Sequence, residues 1–132
     1  MQPRPDRVAM AWHPESGFGV ADWNGYDESM ILYVLALGSP TFPATDGAWE
    51  VFCSTYRWAE HEGQTYLNFA PLFGHQFSHA WIDFRGIRDG FMREKGIDYF
   101  ENSRRAVLAQ RAYAIRNPLG LRGYSADVWG LS

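Results

Sequence analysis

The residue pair best suited to acid–base chemistry is Asp27-Glu28, which follows Trp23 and Tyr26 and precedes a strongly apolar segment. A carboxyl group partly dried by aromatic rings keeps its proton closer to neutral pH, as a general acid requires. A helix that begins here acts in the opposite direction, because its dipole favours the anion. The same pair also suits a structural role in which Asp27 caps the helix and Glu28 is solvated. The residues alone leave both interpretations open.

A second group of polar residues recurs at intervals of four: His75, His79 and Asp83. In an α-helix this interval places the three side chains on one face. It suits a zinc pair, but the metalloprotease motif needs Glu after the first His, and Gln76 stands there. We therefore predict no metal site and expect the stripe to line a cleft that binds hydroxyl groups. A zinc hydrolase built on the two histidines is kept as an alternative.

Aromatic side chains are abundant, with six Trp, seven Tyr and nine Phe in 132 residues. Flat rings can stack on sugar faces, but large rings also serve as ordinary core residues, and composition alone favours the core. The candidate stacking platforms are Trp23, Trp49, Trp81, Tyr124 and Trp129.

Composition excludes several classes of partner. The net charge is −3 and no Lys/Arg stripe is present, so we expect no nucleic-acid partner. No apolar run approaches the roughly 18 residues of a membrane span, so none is predicted. Cys53 is the single cysteine, and we predict that its thiol is buried and inert. Motifs of nucleotide cofactors and serine hydrolases are missing, so no cofactor is expected, and the compartment stays open.

The elements that position these residues are predicted to be mainly helical. A buried helix spans 25–38, with Asn24 or Asp27 as its cap, and a second runs from Thr45 or Asp46 to Trp58. A third covers 71–84, 86–96 is a loop, and a fourth follows the capping pair Asp98 and Glu101 to Arg116. Residues 1–24 are predicted to be irregular or short extended structure, 64–69 a short strand or extended link, and 119–132 irregular. Four such helices with long loops do not obviously close a core, which indicates part of a larger module.

Four segments resemble signatures of the glucoamylase-like domain family, which includes endo-β-1,2-glucanases. They are 23–41, 72–85, 98–106 and 123–131, in family order and with family-like spacing. The resemblance implies a partial (α/α)6 toroid and inverting acid/base hydrolysis of a glucan, with β-1,2-glucan as the expected substrate. Related domains occur in cyclic β-1,2-glucan synthases. Family members are typically periplasmic or exported, which is the expectation for the parent protein.

The resemblance also implies roles for individual residues. Glu28 matches the acidic position of the first signature and is the predicted general acid. The predicted substrate-binding residues are Trp23, Tyr26, His75, Gln76, His79, Asp83, Arg85, Asn102, Arg105, Tyr124 and Trp129. No metal or cofactor is implied.

The extent of the chain is also part of the prediction. Residues 1–132 are predicted to be one incomplete domain of a longer catalytic module, with the second catalytic carboxylate outside this chain. Exposed apolar helix faces would then favour self-association. The alternative is a non-catalytic carbohydrate-binding or interaction module derived from the same fold.

Overall fold

The computed structural model describes residues 4–130. Within them lie four α-helices, two 3-10 segments and six short strands that form three two-stranded sheets. The chain divides into two compact units, one ending at Tyr56 and the other beginning at Arg57. The strands are β1 (Val8–Ala9), β2 (Trp12–His13), β3 (Gly17–Phe18), β4 (Asp22–Trp23), β5 (Trp58–His61) and β6 (Gln64–Leu67). The helices are α1 (Met30–Leu37), α2 (Ala48–Cys53), α3 (Gly90–Lys95) and α4 (Tyr99–Arg116).

The predicted fold class, a mainly α partial (α/α)6 toroid, is wrong. Half of the twelve regular elements among residues 4–130 are strands, and each sheet is an antiparallel pair. The first two helices are shorter than predicted, and the third is replaced by 3-10 segments at Leu72–His75 and Ser78–Ala80. The described residues therefore form a mixed α and β structure.

The first unit begins with short extended segments, as predicted. β1 pairs with β4 and β2 with β3. Helix α1 starts later than predicted because Asp27 holds the preceding residues in a turn: its Oδ1 accepts hydrogen bonds from the backbone N–H and the hydroxyl of Ser29. Gly38 ends the helix, as predicted.

The core of the first unit lies between α1 and α2. The rings of Tyr33 and Phe52 pack with centroids 4.5 Å apart, and both residues are fully buried. The prediction that α1 is buried all round is wrong, since Leu35 is 63% exposed. Only one face of α1, with Met30 and Tyr33, is buried.

In the second unit, a tight hairpin packs on the longest helix. β5 and β6 are joined by Glu62-Gly63, whose positive φ angles of 49° and 72° match a two-residue hairpin turn. β6 packs against α4. The predicted helix from Asp98 to Arg116 is confirmed: the Asp98 carboxylate accepts from the Glu101 N–H at 2.7 Å, and Asn117 ends the helix in the left-handed region.

Residues 71–84 do not form the predicted α-helix. Half of the fourteen residues are Gly, His, Ser or Phe, and all of these have weaker helix propensity than Ala or Leu. Gly74 is also held close to Phe69, because an added Cβ would lie 2.2 Å from its ring. Conversely, the predicted loop 86–96 contains α3, which Asp89 caps and left-handed Gly96 ends. No helix among residues 4–130 is long and apolar enough to cross a membrane.

Candidate active site

The predicted general acid lies in the turn that leads into α1. Glu28 is half-buried, and its neighbours Tyr26 and Asp27 are 4% and 8% exposed. Burial raises the pKa of the Asp27 carboxyl, although its hydrogen bonds with Ser29 oppose the rise. The prediction that Asn24 or Asp27 caps the helix is wrong, because the N-cap is Ser29. Asp27 instead fixes the turn that carries Glu28 through its hydrogen bonds with Ser29.

The aromatic residues before this turn are partly committed to packing. The Tyr26 ring meets that of Tyr56 edge to face, with centroids 5.9 Å apart. Trp23 is half-buried in β4, and its carbonyl accepts a hydrogen bond from the Tyr33 hydroxyl at 2.6 Å. Three predicted residues of this unit therefore lie on one structured segment of the chain: Trp23, Tyr26 and Glu28.

The two histidines of the second unit occupy different environments. His75 is 1% exposed, and burial lowers the pKa of its imidazole to about 4, although a hydrogen bond to the Phe69 backbone opposes this. His79 is half-buried, and its Nε2 lies 3.0 Å from the Ser103 hydroxyl. Burial also lowers the pKa of His79, against the nearby charges of Asp83 and Asp98.

The predicted polar stripe is not one helical face, because the α-helix that would align it is not formed. His75 is buried, whereas Gln76 and Asp83 are exposed. Asp83 pairs with Arg85, whose Nε donates at 2.8 Å, and this guanidinium lowers the pKa of Asp83 to about 2. Within residues 4–130, no group of three His, Cys, Asp or Glu side chains is placed to hold a metal ion.

The remaining predicted residues lie on α4 and in the segment after it. Asn102 is fully buried, and its Oδ1 accepts from the Leu67 N–H at 2.8 Å. Arg105 bridges elements, donating to Glu101 at 3.0 Å and to the Thr65 carbonyl at 3.2 Å. Tyr124 and Trp129 follow the helix, half-buried and 38% exposed respectively. Their roles as substrate contacts stay predictions.

The second unit contains a cleft of about 550 Å³ that was not predicted from the sequence. Among its described lining residues, only His75 had been predicted to be a site residue. The cleft lies between the β5–β6 hairpin, the segment that follows it and α4. Its floor contains Tyr66, Leu72, His75 and Ala109, all buried. The polar residues around it are Glu60, His61, Glu62, Asn68, Gln110 and Arg116. The sequence does carry one signal of this cleft. Residues 106, 109, 110, 113 and 116 are spaced so that they lie on one face of a helix.

Comparison with known proteins identifies the class of protein. Residues 21–132 match the Glycoamylase family, described as "putative glucoamylase", and the chain belongs to this family. The resemblance inferred from the four sequence signatures is thereby confirmed.

Two solved structures and one further relative are similar to this chain. Crystal structures described as putative glucoamylases from Bacteroides caccae and Bacteroides fragilis are each 30% identical, with a TM-score of 0.83 over 96% of this chain. A relative from Parabacteroides distasonis, named exo beta-1,2-glucooligosaccharide sophorohydrolase (non-reducing end), is 29% identical over 82% of this chain. The chain spans 32% of each solved structure and 18% of that relative.

Proposed function

We propose that this chain is part of a glycoside hydrolase that acts on a β-1,2-linked glucan or gluco-oligosaccharide. The observation that carries the proposal is the family match over residues 21–132. The substrate linkage is supported by the name of the Parabacteroides distasonis relative, which acts on β-1,2-gluco-oligosaccharides. The proposal leaves the choice between endo and exo action to experiment.

In the proposed mechanism, Glu28 is the general acid that protonates the leaving glycosidic oxygen. Glu28 is half-buried in a turn that the hydrogen bonds between Asp27 and Ser29 fix. This fixed position supports the role, because a general acid must be held within reach of the oxygen that it protonates. A second carboxylate would activate water on the opposite face of the sugar, giving inversion of the anomeric carbon. We place that carboxylate in a longer catalytic module, of which this chain would be a fragment, since the chain spans only 18–32% of its relatives.

The proposal keeps all the predicted substrate-binding residues, but their burial gives them different roles. Exposed or half-buried side chains, such as Trp23, Gln76 and Trp129, are accessible to a sugar. Tyr26 and Asn102 are buried and would act indirectly, Tyr26 by packing against Tyr56 and Asn102 by holding the Leu67 backbone. Neither a metal nor a cofactor enters the proposed reaction.

The decisive variant is Glu28→Gln in the protein expressed from its complete gene. Loss of a general acid lowers the rate by about 10²–10⁴-fold, whereas the amide retains nearly the same shape. Release of reducing sugar from β-1,2-glucan should fall accordingly, with substrate binding and far-UV circular dichroism unchanged. Glu50→Gln, an exposed glutamate on α2, is the matched control and should keep full activity.

Other outcomes of this experiment are equally informative. Near-normal turnover of Glu28→Gln would contradict the acid assignment. A wild-type protein that binds β-1,2-glucan without cleaving it would replace the enzyme proposal with the alternative, a carbohydrate-binding module. Preference for another glucan linkage would keep the hydrolase and reject the proposed substrate.

A further inference from the structure

The cleft of the second unit has the construction of a small-molecule site. Its volume of about 550 Å³ falls within the roughly 300–1,000 Å³ usual for such sites. The floor is buried and largely apolar, whereas most of the polar side chains stand at an accessible rim. An apolar floor with a few convergent polar groups is the arrangement that orients a ligand and buries one of its faces.

Aromatic rings form much of the apolar wall. Tyr66 lies on the floor with its ring 5.5 Å from that of His75, and Phe69 stands 6.5 Å from the same imidazole. Tyr113 contributes a half-buried ring from α4, and the Arg116 guanidinium lies 5.7 Å from its centroid. Such rings offer flat apolar surfaces to the C–H faces of a ligand.

The cleft contains neutral hydrogen-bonding groups as well as charged side chains. His61 Nε2 and Asn68 Oδ1 lie 3.2 Å apart at the rim, and Gln110 adds a second amide. His75 at the floor is uncharged at neutral pH, because burial lowers its pKa to about 4. The carboxamides of Asn68 and Gln110 each carry donors and an acceptor, which hydroxyl groups need.

The charges of the cleft disfavour an anionic ligand. Among the described residues that line the cleft, Arg116 is the single Lys or Arg. Its Nε donates to both carboxylate oxygens of Glu62, at 3.0 and 3.2 Å, so its charge is already matched. Glu60 adds a further carboxylate. A phosphate or acidic sugar would therefore meet no cation that is not already paired with a carboxylate.

We propose that this cleft is a second saccharide-binding site, which takes a neutral gluco-oligosaccharide through ring stacking and neutral hydrogen bonds. The choice of a gluco-oligosaccharide rests on the proposed function, and His75 in the lining is also a predicted substrate-binding residue. Glu28 is not among the lining residues, so the proposal does not depend on that residue being the general acid. The two proposals can fail separately, because one is tested by turnover and the other by binding.

The test is a binding titration of the protein expressed from its complete gene with sophorotriose, a trimer of β-1,2-linked glucose, in a Glu28→Gln background that does not cleave the trimer. It is followed through the NMR chemical shifts of residues that line the cleft. Ala70 is exposed at the rim, so Ala70→Trp places an indole in the cleft without removing an existing contact. We expect saturable binding to the Glu28→Gln protein and an affinity at least about tenfold lower when Ala70→Trp is added. Ala11→Trp, at an exposed alanine of the other unit, is the matched control and should bind normally.

Two further variants test the chemistry of the site if Ala70→Trp does not fold. Tyr113→Leu removes a ring and Gln110→Ala removes an amide, and both should weaken binding several-fold. Trp129→Ala, at a predicted substrate contact outside the lining of this cleft, should leave the titration of the cleft residues unchanged. Loss of that titration in Trp129→Ala, with normal binding in the cleft variants, would move the sugar to the predicted active site and overturn the proposal.

Three other results would also overturn it. They are an absence of saturable binding to the Glu28→Gln protein, unchanged affinity in Ala70→Trp, and displacement of sophorotriose by inorganic phosphate at comparable concentration. The last result would assign the cleft to an anion. Loss of binding in the cleft variants together with a normal Ala11→Trp control would support the neutral saccharide site.

Discussion

The unit that ends at Tyr56 buries a carboxyl group, that of Asp27, whereas the unit that begins at Arg57 buries an imidazole, that of His75. Burial penalises the charged form in both cases, so the pKa of Asp27 is raised and that of His75 is lowered. The same physical cause thus favours the protonated form of the carboxyl group and the deprotonated, neutral form of the imidazole.

Surface carboxylates strengthen this contrast. In the second unit Asp83 pairs with Arg85 and Glu62 pairs with Arg116, and each arginine lowers the pKa of its partner. These carboxylates stay ionised near neutral pH and are poor proton donors. In this respect they differ from Asp27, whose pKa burial raises.

The largest expected effect concerns the pH dependence of stability in the second unit. The folded pKa of His75, about 4, lies below its unfolded value of 6.5. Its contribution is therefore fully present above about pH 6.5 and is lost as the pH falls through 4. The shift corresponds to about 3 kcal/mol of unfolding free energy. Urea unfolding of wild type and His75→Gln, followed by helical circular dichroism, should show the wild-type advantage shrinking over this window.

Two controls make the result specific. His61→Gln, at an exposed histidine of the same unit, should retain the wild-type pH profile. His79 also has a lowered pKa and leaves a residual slope of the same sign in His75→Gln. If the pH profiles of wild type and His75→Gln were parallel, His75 would not be buried as described. The two units would then not differ in the way proposed above.

A smaller effect is expected at Asn102. Its Oδ1 accepts the buried Leu67 N–H at 2.8 Å, so Asn102→Ala leaves that donor without its partner. An unsatisfied buried group costs about 2 kcal/mol, measurable as a lower urea midpoint. Asn68→Ala, at an exposed asparagine, should change stability by less than about 0.5 kcal/mol. An Asn102→Ala protein that is stable but fails to bind or cleave glucan would instead favour the predicted substrate contact.

The sequence was most informative where a local rule decides the structure. Helix α4 has a capping aspartate at Asp98, and Asn117-Pro118 stops it, so its bounds followed directly from the residues. The same rules would have found α3, since Asp89 and Gly96 are its cap and its end. That helix was missed because its charged residues were interpreted as a loop.

The sequence was least informative where tertiary contacts override local preference. Nothing local shows that Gly74 must lie against the Phe69 ring, or that Asn102 must satisfy Leu67. The cleft was missed for the same reason, because its walls come from elements separated along the chain. Family resemblance correctly indicated the class of protein, yet the fold class carried over with it was wrong for these residues.

The smallest expected effect is the counterpart of the first and has the opposite sign. The folded pKa of Asp27 is above its unfolded value, mainly through burial, so its stabilising contribution is present below pH 3.8 and lost as the pH rises through the folded pKa. Asp27→Asn removes this loss, and its amide oxygen can still accept the hydrogen bonds from Ser29. The variant should therefore gain stability over wild type between pH 3 and pH 7 in thermal melts, whereas Asp46→Asn, at an exposed aspartate of the same unit, should not. If Asp27→Asn loses stability at pH 7, the charged hydrogen bonds with Ser29 outweigh desolvation, and the two units would no longer differ in the sign of their pH dependence.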